Sequence, residues 1–419
     1  MIGYVALKIL QIAFWLTNWF MYNVMGYSLA CGSKKEKSLS ATYEYSAHVM
    51  KVLYRAARNG DWDVWCWKVP SSNMLCVHVQ YCHPKCVLED NISLFGLSKD
   101  TAYFAVASSH VDFYSSKVNS FFACAQFWNM THLISMPISS FHRIAGRTGE
   151  PKSDVVLLSS TGRCGSTLFT QLFEALPNFR TISEPLPLVN LLRMYNAGQT
   201  SDEENRKIVR SSILLLCKRV KEKNIECIII KIGGSCPIFV EIIWKYCSFV
   251  RHVFLYRHPK NCILSYYSMF HADPIGYCKH AISSIPMVEK NYQEENKDVV
   301  SNGYIYELIA VQWAQTCSWV LEYRRKGITI KSFNYEELLK EPAQTVSSLF
   351  AYLGIKEELV PLALTAMKKD SQQNSYISKS ILRRHRLNSF TSEQLYIVNK
   401  VLQNFGFPPL SQFSMSCLK

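Results

Sequence analysis

No two of the fifteen cysteines in this 419-residue chain are spaced as a CxxC pair. Paired-thiolate zinc ribbons and fingers are therefore not expected. The odd count, spread from Cys31 to Cys417, also argues against a closed disulfide framework. The densest cluster, Cys76, His78, Cys82, His83 and Cys86, is a weak candidate for a structural zinc site, and no metal is expected. No dense basic tail and no Cys/His finger spacing are present, so no nucleic-acid partner is expected. No internal repeat or low-complexity tract interrupts an ordinary globular composition. A last absence concerns the Gly-rich stretch at 161–167, where Gly165 and not Lys stands before Ser166. A triphosphatase loop requires Lys there, so a kinase or triphosphatase reading is weakened.

What is present begins with charge. The formal net charge is +14, which suits a nucleotide cosubstrate, an acidic acceptor or an anionic membrane surface. From Ile9 to Ser33 no residue is charged, and the run is long enough to span a bilayer. It is too long and too aromatic for a signal-peptide core. Against a spanning helix stand Gln11, Thr17, Asn18, Asn23 and Ser28 along its length. Lys34, Lys35 and Lys37 after it favour a cytosolic downstream side. The sequons Asn91-Ile92-Ser93 and Asn129-Met130-Thr131 point the other way. Membrane association through residues 9–31, at the Golgi or elsewhere, and a cytoplasmic enzyme with a docked apolar helix both stay open. The oligomeric state is not legible.

Three regions are expected: an apolar segment over 1–33, a mixed α+β region over 34–149, and an α/β domain over 150–419. Within the second, residues 42–58 and 117–146 read as helices, and Leu75 to Val79 and Ala102 to Ala107 as strands. From residue 150 short buried strands alternate with helices. The strands fall at 154–159, 226–231, 251–256 and 328–333; the helices fall at 166–176, 206–223, 237–247, 260–270 and 304–325. That alternation implies crossover connections and a mostly parallel sheet flanked by helices, a P-loop-like three-layer α/β fold. Ligands gather at the carboxyl ends of strands in such sheets, so chemistry is expected after residues 159, 231 and 256.

After the first strand comes Thr161-Gly162-Arg163-Cys164-Gly165-Ser166-Thr167, and then a helix begins. Glycines allow a tight turn, and helix-start amides with the Ser166 and Thr167 hydroxyls would hold an anion. After the third strand comes Arg257-His258-Pro259-Lys260-Asn261, with Ser265 eight residues beyond Arg257. A guanidinium fork near a hydroxyl suits a terminal phosphate.

Together these loops resemble the sulfotransferase family over roughly residues 150–385. Arg163 to Thr167 is similar to its 5′-phosphosulfate loop, in the form carried by carbohydrate sulfotransferases. Arg257 to Ser265 is similar to its 3′-phosphate site, with Asn261 where Asp is usual. Tyr335-Glu336-Glu337-Leu338, Pro342 and Phe350 to Gly354 resemble its later scaffold. Asp370-Ser371-Gln372 and Arg383 to Arg386 fall where the family places a loop over the nucleotide. The resemblance implies 3′-phosphoadenosine 5′-phosphosulfate as cosubstrate, held by Gly162, Arg163, Cys164, Gly165, Ser166, Thr167, Arg257 and Ser265. It also implies Arg163 and Lys231 as cations and Glu184 as general base. A kinase-like nucleotide binder or an inactive binding module of this fold are the alternatives. The acceptor, a hydroxyl or amine on a carbohydrate or other molecule, is not readable; residues 271–303 and the N-terminal region are expected to shape its pocket.

Overall fold

The run Val155-Val156-Leu157-Leu158 is at most 1 % exposed, as is Ile228-Ile229-Ile230. Strands without polar alternation need cover on both faces, and these runs lie inside the second of two sheets. The computed structural model describes residues 2–23, 31–56, 73–218, 224–233, 238–272, 305–372, 378–414 and 418. It divides into two compact units, Met1–Val155 with Ile182–Ile228, and Val156–Thr181 with Ile229–Lys419.

The first unit is built on an antiparallel five-stranded sheet of order β2-β1-β5-β4-β3. Its strands are β1 (Ala47–Arg55), β2 (Met74–Cys82), β3 (Ile92–Leu97), β4 (Thr101–Ala107) and β5 (Met130–Pro137). Two expectations are corrected here. The span 42–58 holds β1 after a short 3-10 turn, and 117–146 holds β5 between the helices Phe122–Asn129 and Ile138–Thr148. In β1, register shifts between Val49/Met50 and Val52/Tyr54 break the two-residue alternation that marks a strand in sequence. In β5 burial does not alternate: the consecutive Leu133 and Ile134, which point to opposite faces, are both buried.

Polar side chains complete this unit. Asn190, on the helix Leu186–Asn196, accepts from the amide of Leu97 at 3.0 Å. Lys218, only 5 % exposed, donates to the carbonyls of Val87 (2.7 Å), Glu89 and Ile92, closing the turn around Pro84–Leu88. His78 contacts His48 at 3.0 Å and Glu36 at 3.4 Å. The Sγ atoms of Cys82 and Cys86 lie 3.4 Å apart, and among the described residues no His/Cys/Asp/Glu cluster is placed to hold a metal ion. The N-terminal helix is Ile2–Asn23, and among the described residues no helix is long and apolar enough to cross a membrane. Its polar Gln11, Thr17 and Asn18 lower its mean hydropathy.

The second sheet has the order β10-β9-β6-β8-β7 and is mostly parallel. Its strands are β6 (Asp154–Ser160), β7 (Phe179–Ser183), β8 (Cys227–Lys231), β9 (Val250–Tyr256) and β10 (Ile330–Asn334). Four of the five match the expected spans; the short β7 adds a fifth. Helices follow the strands at Ser166–Glu174, Ile238–Tyr246, Pro259–Ala272 and Tyr335–Lys340. This is the expected α/β fold, with the N-terminal α+β region beside it in sequence.

Candidate active site

The turn after β6 is held in a rare backbone conformation. Gly162 (φ +70°), Arg163 (φ +47°) and Gly165 (φ +78°) are all left-handed. A Cβ on Gly162 would lie 1.9 Å from Tyr266 Oη, and one on Gly165 would lie 2.2 Å from Tyr335 Cε2. Both glycines are thus required by conformation and by close packing. Arg163 has no such freedom and carries a strain on the order of 1–2 kcal/mol. Left-handed residues in a tight turn bring neighbouring backbone amides towards one side, a geometry suited to anions. The helix Ser166–Glu174 starts at Gly165 with no side-chain cap, leaving its first amides for a partner of another kind.

Side chains from the turn after β9 meet this loop. Arg163 Nε donates to Ser265 Oγ at 3.2 Å, and Arg257 Nη1 donates to the Arg163 carbonyl at 3.1 Å. The two loops that the sequence places about a hundred residues apart are thereby one cluster. Lys231, at the end of β8 and 2 % exposed, donates to Thr167 Oγ1 at 3.2 Å. Gln372 accepts from Arg163 Nη1 at 3.3 Å and lies 3.5 Å from Thr167 Oγ1, so the late loop named in the sequence packs here. Arg383 to Arg386 are exposed on and after the helix Lys379–Arg384.

Further residues organise Arg257, and sequence reasoning gave them no such role. Its guanidinium stands 5.1 Å over the Tyr335 ring, and its Nε is 3.7 Å from Glu336 Oε1. Glu336 also accepts from Asn261 Nδ2 (2.9 Å), the His258 amide (3.3 Å) and Asn334 Nδ2 (3.1 Å). The unusual Asn261 thus has a local reason, since an Asp there would face a second carboxylate. Trp313 Nε1 donates to the Arg257 carbonyl at 3.0 Å, and the His258 ring packs edge-on against Phe413. Burial lifts the Tyr335 hydroxyl above its usual range. The Arg257 Nε is buried and makes no hydrogen bond among the described residues, which fits a site completed by an anion.

Cys164 and Cys262 are buried beneath the loop and bond to the carbonyls of Leu255 and Gly162. Burial pushes both thiols up, Cys262 to about 12, so they are packing groups and not nucleophiles at neutral pH. Glu184, in the first unit, directly follows β7, is 8 % exposed and has φ +57°. Only Arg163, Asn178 and Glu184 combine a side chain with left-handed backbone among the described residues. Such outliers cluster at functional positions. The expected acceptor segment, 271–303, lies almost wholly outside the described residues.

A turn of left-handed residues after β6 is thus bridged to an Arg at the end of β9, within an α/β fold. Residues 242–400 match the family model of the sulfotransferase domain, a little over a third of the chain. Arg257 and Ser265 lie inside the match; the 161–167 loop, Glu184 and Lys231 lie before it. Among solved structures the chain is similar to sulfotransferase STF9 from Mycobacterium avium, at 9 % identity and TM-score 0.40, over 63 % of this chain and 80 % of that one. It is also similar to the sulfotransferase domain from the curacin biosynthetic pathway, at 14 % identity and TM-score 0.36, over 61 % and 99 %. A third is mouse sulfotransferase SULT7A1 complexed with PAP, at 13 % identity and TM-score 0.35, over 66 % and 92 %. No curated protein matches the chain.

Proposed function

We propose that this protein moves a sulfuryl group from 3′-phosphoadenosine 5′-phosphosulfate to a hydroxyl or amine, with carbohydrates the first acceptor class to test. The observation that carries the reading is the bridge of Arg257 Nη1 to the Arg163 carbonyl and of Arg163 Nε to Ser265 Oγ. It brings together the two loops whose spacing resembles the 5′- and 3′-phosphate determinants of sulfotransferases.

The donor supplies the sulfuryl group, and negative charge grows on its bridging oxygen as that group leaves. The amides of 163–167 and the Ser166 and Thr167 hydroxyls would bind the 5′ end, while Arg257 and Ser265 would bind the 3′-phosphate. Arg163 and Lys231 provide fixed positive charge, which stabilises the departing anion without reorganisation. Lys231 is positioned by Thr167, and Arg163 by Ser265 and Gln372. Glu184 would take the acceptor's proton on a carboxylate oxygen. Its candidacy rests on its Glu-Pro sequence after a strand and on its left-handed backbone.

The test is a thermal-shift titration of the purified protein with 3′-phosphoadenosine 5′-phosphate, with ATP-magnesium as control, followed by labelled-sulfate transfer to a panel of glycans, phenols and steroids. Stabilisation by the bisphosphate and transfer abolished in Arg163→Ala support the reading. Stabilisation by ATP-magnesium alone would return the site to the kinase-like alternative. Bisphosphate binding with no transfer to any acceptor would favour an inactive binding module.

A further inference from the structure

The N-terminal helix Ile2–Asn23 carries its polarity the wrong way round for a helix in water. Gln11 is 3 % exposed and Asn18 9 %, and Asn18 Nδ2 donates to the Met74 carbonyl at 3.4 Å. Away from them Ile9, Ile12, Leu16, Trp19 and Phe20 are 60, 51, 63, 61 and 49 % exposed. At roughly 100° per residue, positions 11 and 18 share one stripe, while 9, 16 and 20 lie across the helix from it and 12 and 19 to one side. A surface helix of a protein in water turns its apolar stripe inward and its polar face out.

The outward face is also too broad for a partner helix. Leu10 and Trp15, 57 and 43 % exposed, extend it around both flanks to more than half of the circumference, with the exposed Thr17, whose hydroxyl is tied to the Ala13 carbonyl, the polar residue within it. A coiled-coil seam is a narrower stripe. The charge nearby has one sign until Glu36: no Asp or Glu occurs in the first 35 residues, and Lys34, Lys35 and Lys37 are exposed. Glu36 itself is tied to the Ser33 amide and hydroxyl and to His78, which hold its carboxyl down to about 2. Two exposed Trp side chains on an apolar face suit the bilayer interface, and a lysine run suits anionic headgroups.

We propose that this helix lies in the plane of an anionic phospholipid surface. The face of Ile9, Ile12, Leu16, Trp19 and Phe20 enters the headgroup–acyl boundary, while Gln11 and Asn18 stay on the protein. The helix is an interfacial one and not a span, and binding combines buried apolar area with attraction of Lys34, Lys35 and Lys37 to the lipid charge.

The experiment is co-flotation of the full chain with phosphatidylcholine vesicles, with and without phosphatidylserine. The wild type is expected to float with phosphatidylserine vesicles and to be stripped by alkaline carbonate. Leu16→Glu with Phe20→Glu should cut the partition coefficient at least tenfold. Lys34→Glu, Lys35→Glu and Lys37→Glu together should abolish the preference for phosphatidylserine. Unchanged melting temperatures show that the variants fold; should the Glu pair fail to fold, Leu16→Ser with Phe20→Ser is read the same way. No flotation of the wild type, or equal flotation of the Glu pair, overturns the proposal. So does carbonate-resistant insertion, which means a span, or a lipid-free dimer that the Glu pair dissociates, which means a second copy covers the face.

Discussion

Arg257 donates from Nη1 to the backbone carbonyl of Arg163, 3.1 Å away, so one cation is oriented by the main chain of another. The Arg163 side chain then turns to Ser265 and Gln372, and each loop holds the other in shape. A lysine at 257 keeps the charge but loses the planar fork that can serve the carbonyl, Glu336 and a phosphate together. Arg257→Lys is expected to weaken binding of 3′-phosphoadenosine 5′-phosphate about ten- to a hundredfold, the range for losing a charged hydrogen bond. Calorimetric titration measures it, and an unchanged affinity would remove Arg257 from the site.

Asn261→Asp sets a carboxylate where an amide now donates to Glu336 Oε1 at 2.9 Å. Both positions are solvent-accessible, so the cost is expected to be about 1 kcal/mol and to shrink with added salt. It should be largest near neutral pH and shrink on acidification towards about pH 4, as the introduced Asp carboxyl is protonated. Denaturant melts across that range, at low and high salt, give the answer directly.

Gly165→Ala places a Cβ against the Tyr335 ring at a φ of +78°. A loss of about 2–4 kcal/mol is expected, from the left-handed backbone and the overlap together. Adding Tyr335→Ala should recover the overlap part and none of the backbone part. Melting of the single and double variants separates the two.

His252, on β9, is 2 % exposed, and neither ring nitrogen has a hydrogen-bond partner among the described residues. Burial lowers its pKa to about 4. The unfolded chain takes up a proton at its ordinary pKa of about 6.5, while the folded protein stays neutral until about 4. The unfolded state therefore binds more protons in that window, and stability falls as the pH drops through it. His252→Phe should flatten this part of the stability–pH profile. His48, which burial also lowers to about 4, leaves a residual slope in the same window.

Glu184→Gln should cut turnover by a factor of about 100 to 10,000, the usual worth of a general base, and leave bisphosphate binding unchanged. Assay of kcat beside calorimetric titration distinguishes a lost base from a lost fold. Full turnover would send the search for the base elsewhere.

The strands β6, β8 and β9 were legible because burial on both faces writes apolar runs. The eight-residue step from Arg257 to Ser265 was legible through its resemblance to the sulfotransferase 3′-phosphate site. β1 was misread because its register shifts spoil the alternation, and β5 because side chains on both of its faces are buried. Tyr266 against Gly162 and Glu336 beneath Arg257 were hidden for another reason. Each pairs positions about 80 to 100 residues apart, and no local pattern records a contact made by the folding of a sheet.

The buried ammonium of Lys218 reaches back 126 residues to the carbonyl of Ile92. The consequence concerns timing during synthesis. A nascent chain that ends before residue 218 has already made all five strands of the antiparallel sheet, yet the turn leading into β3 still lacks the charge on which its carbonyls converge. That sheet is written first and finished late, only after the phosphate-loop turn has itself emerged from the ribosome.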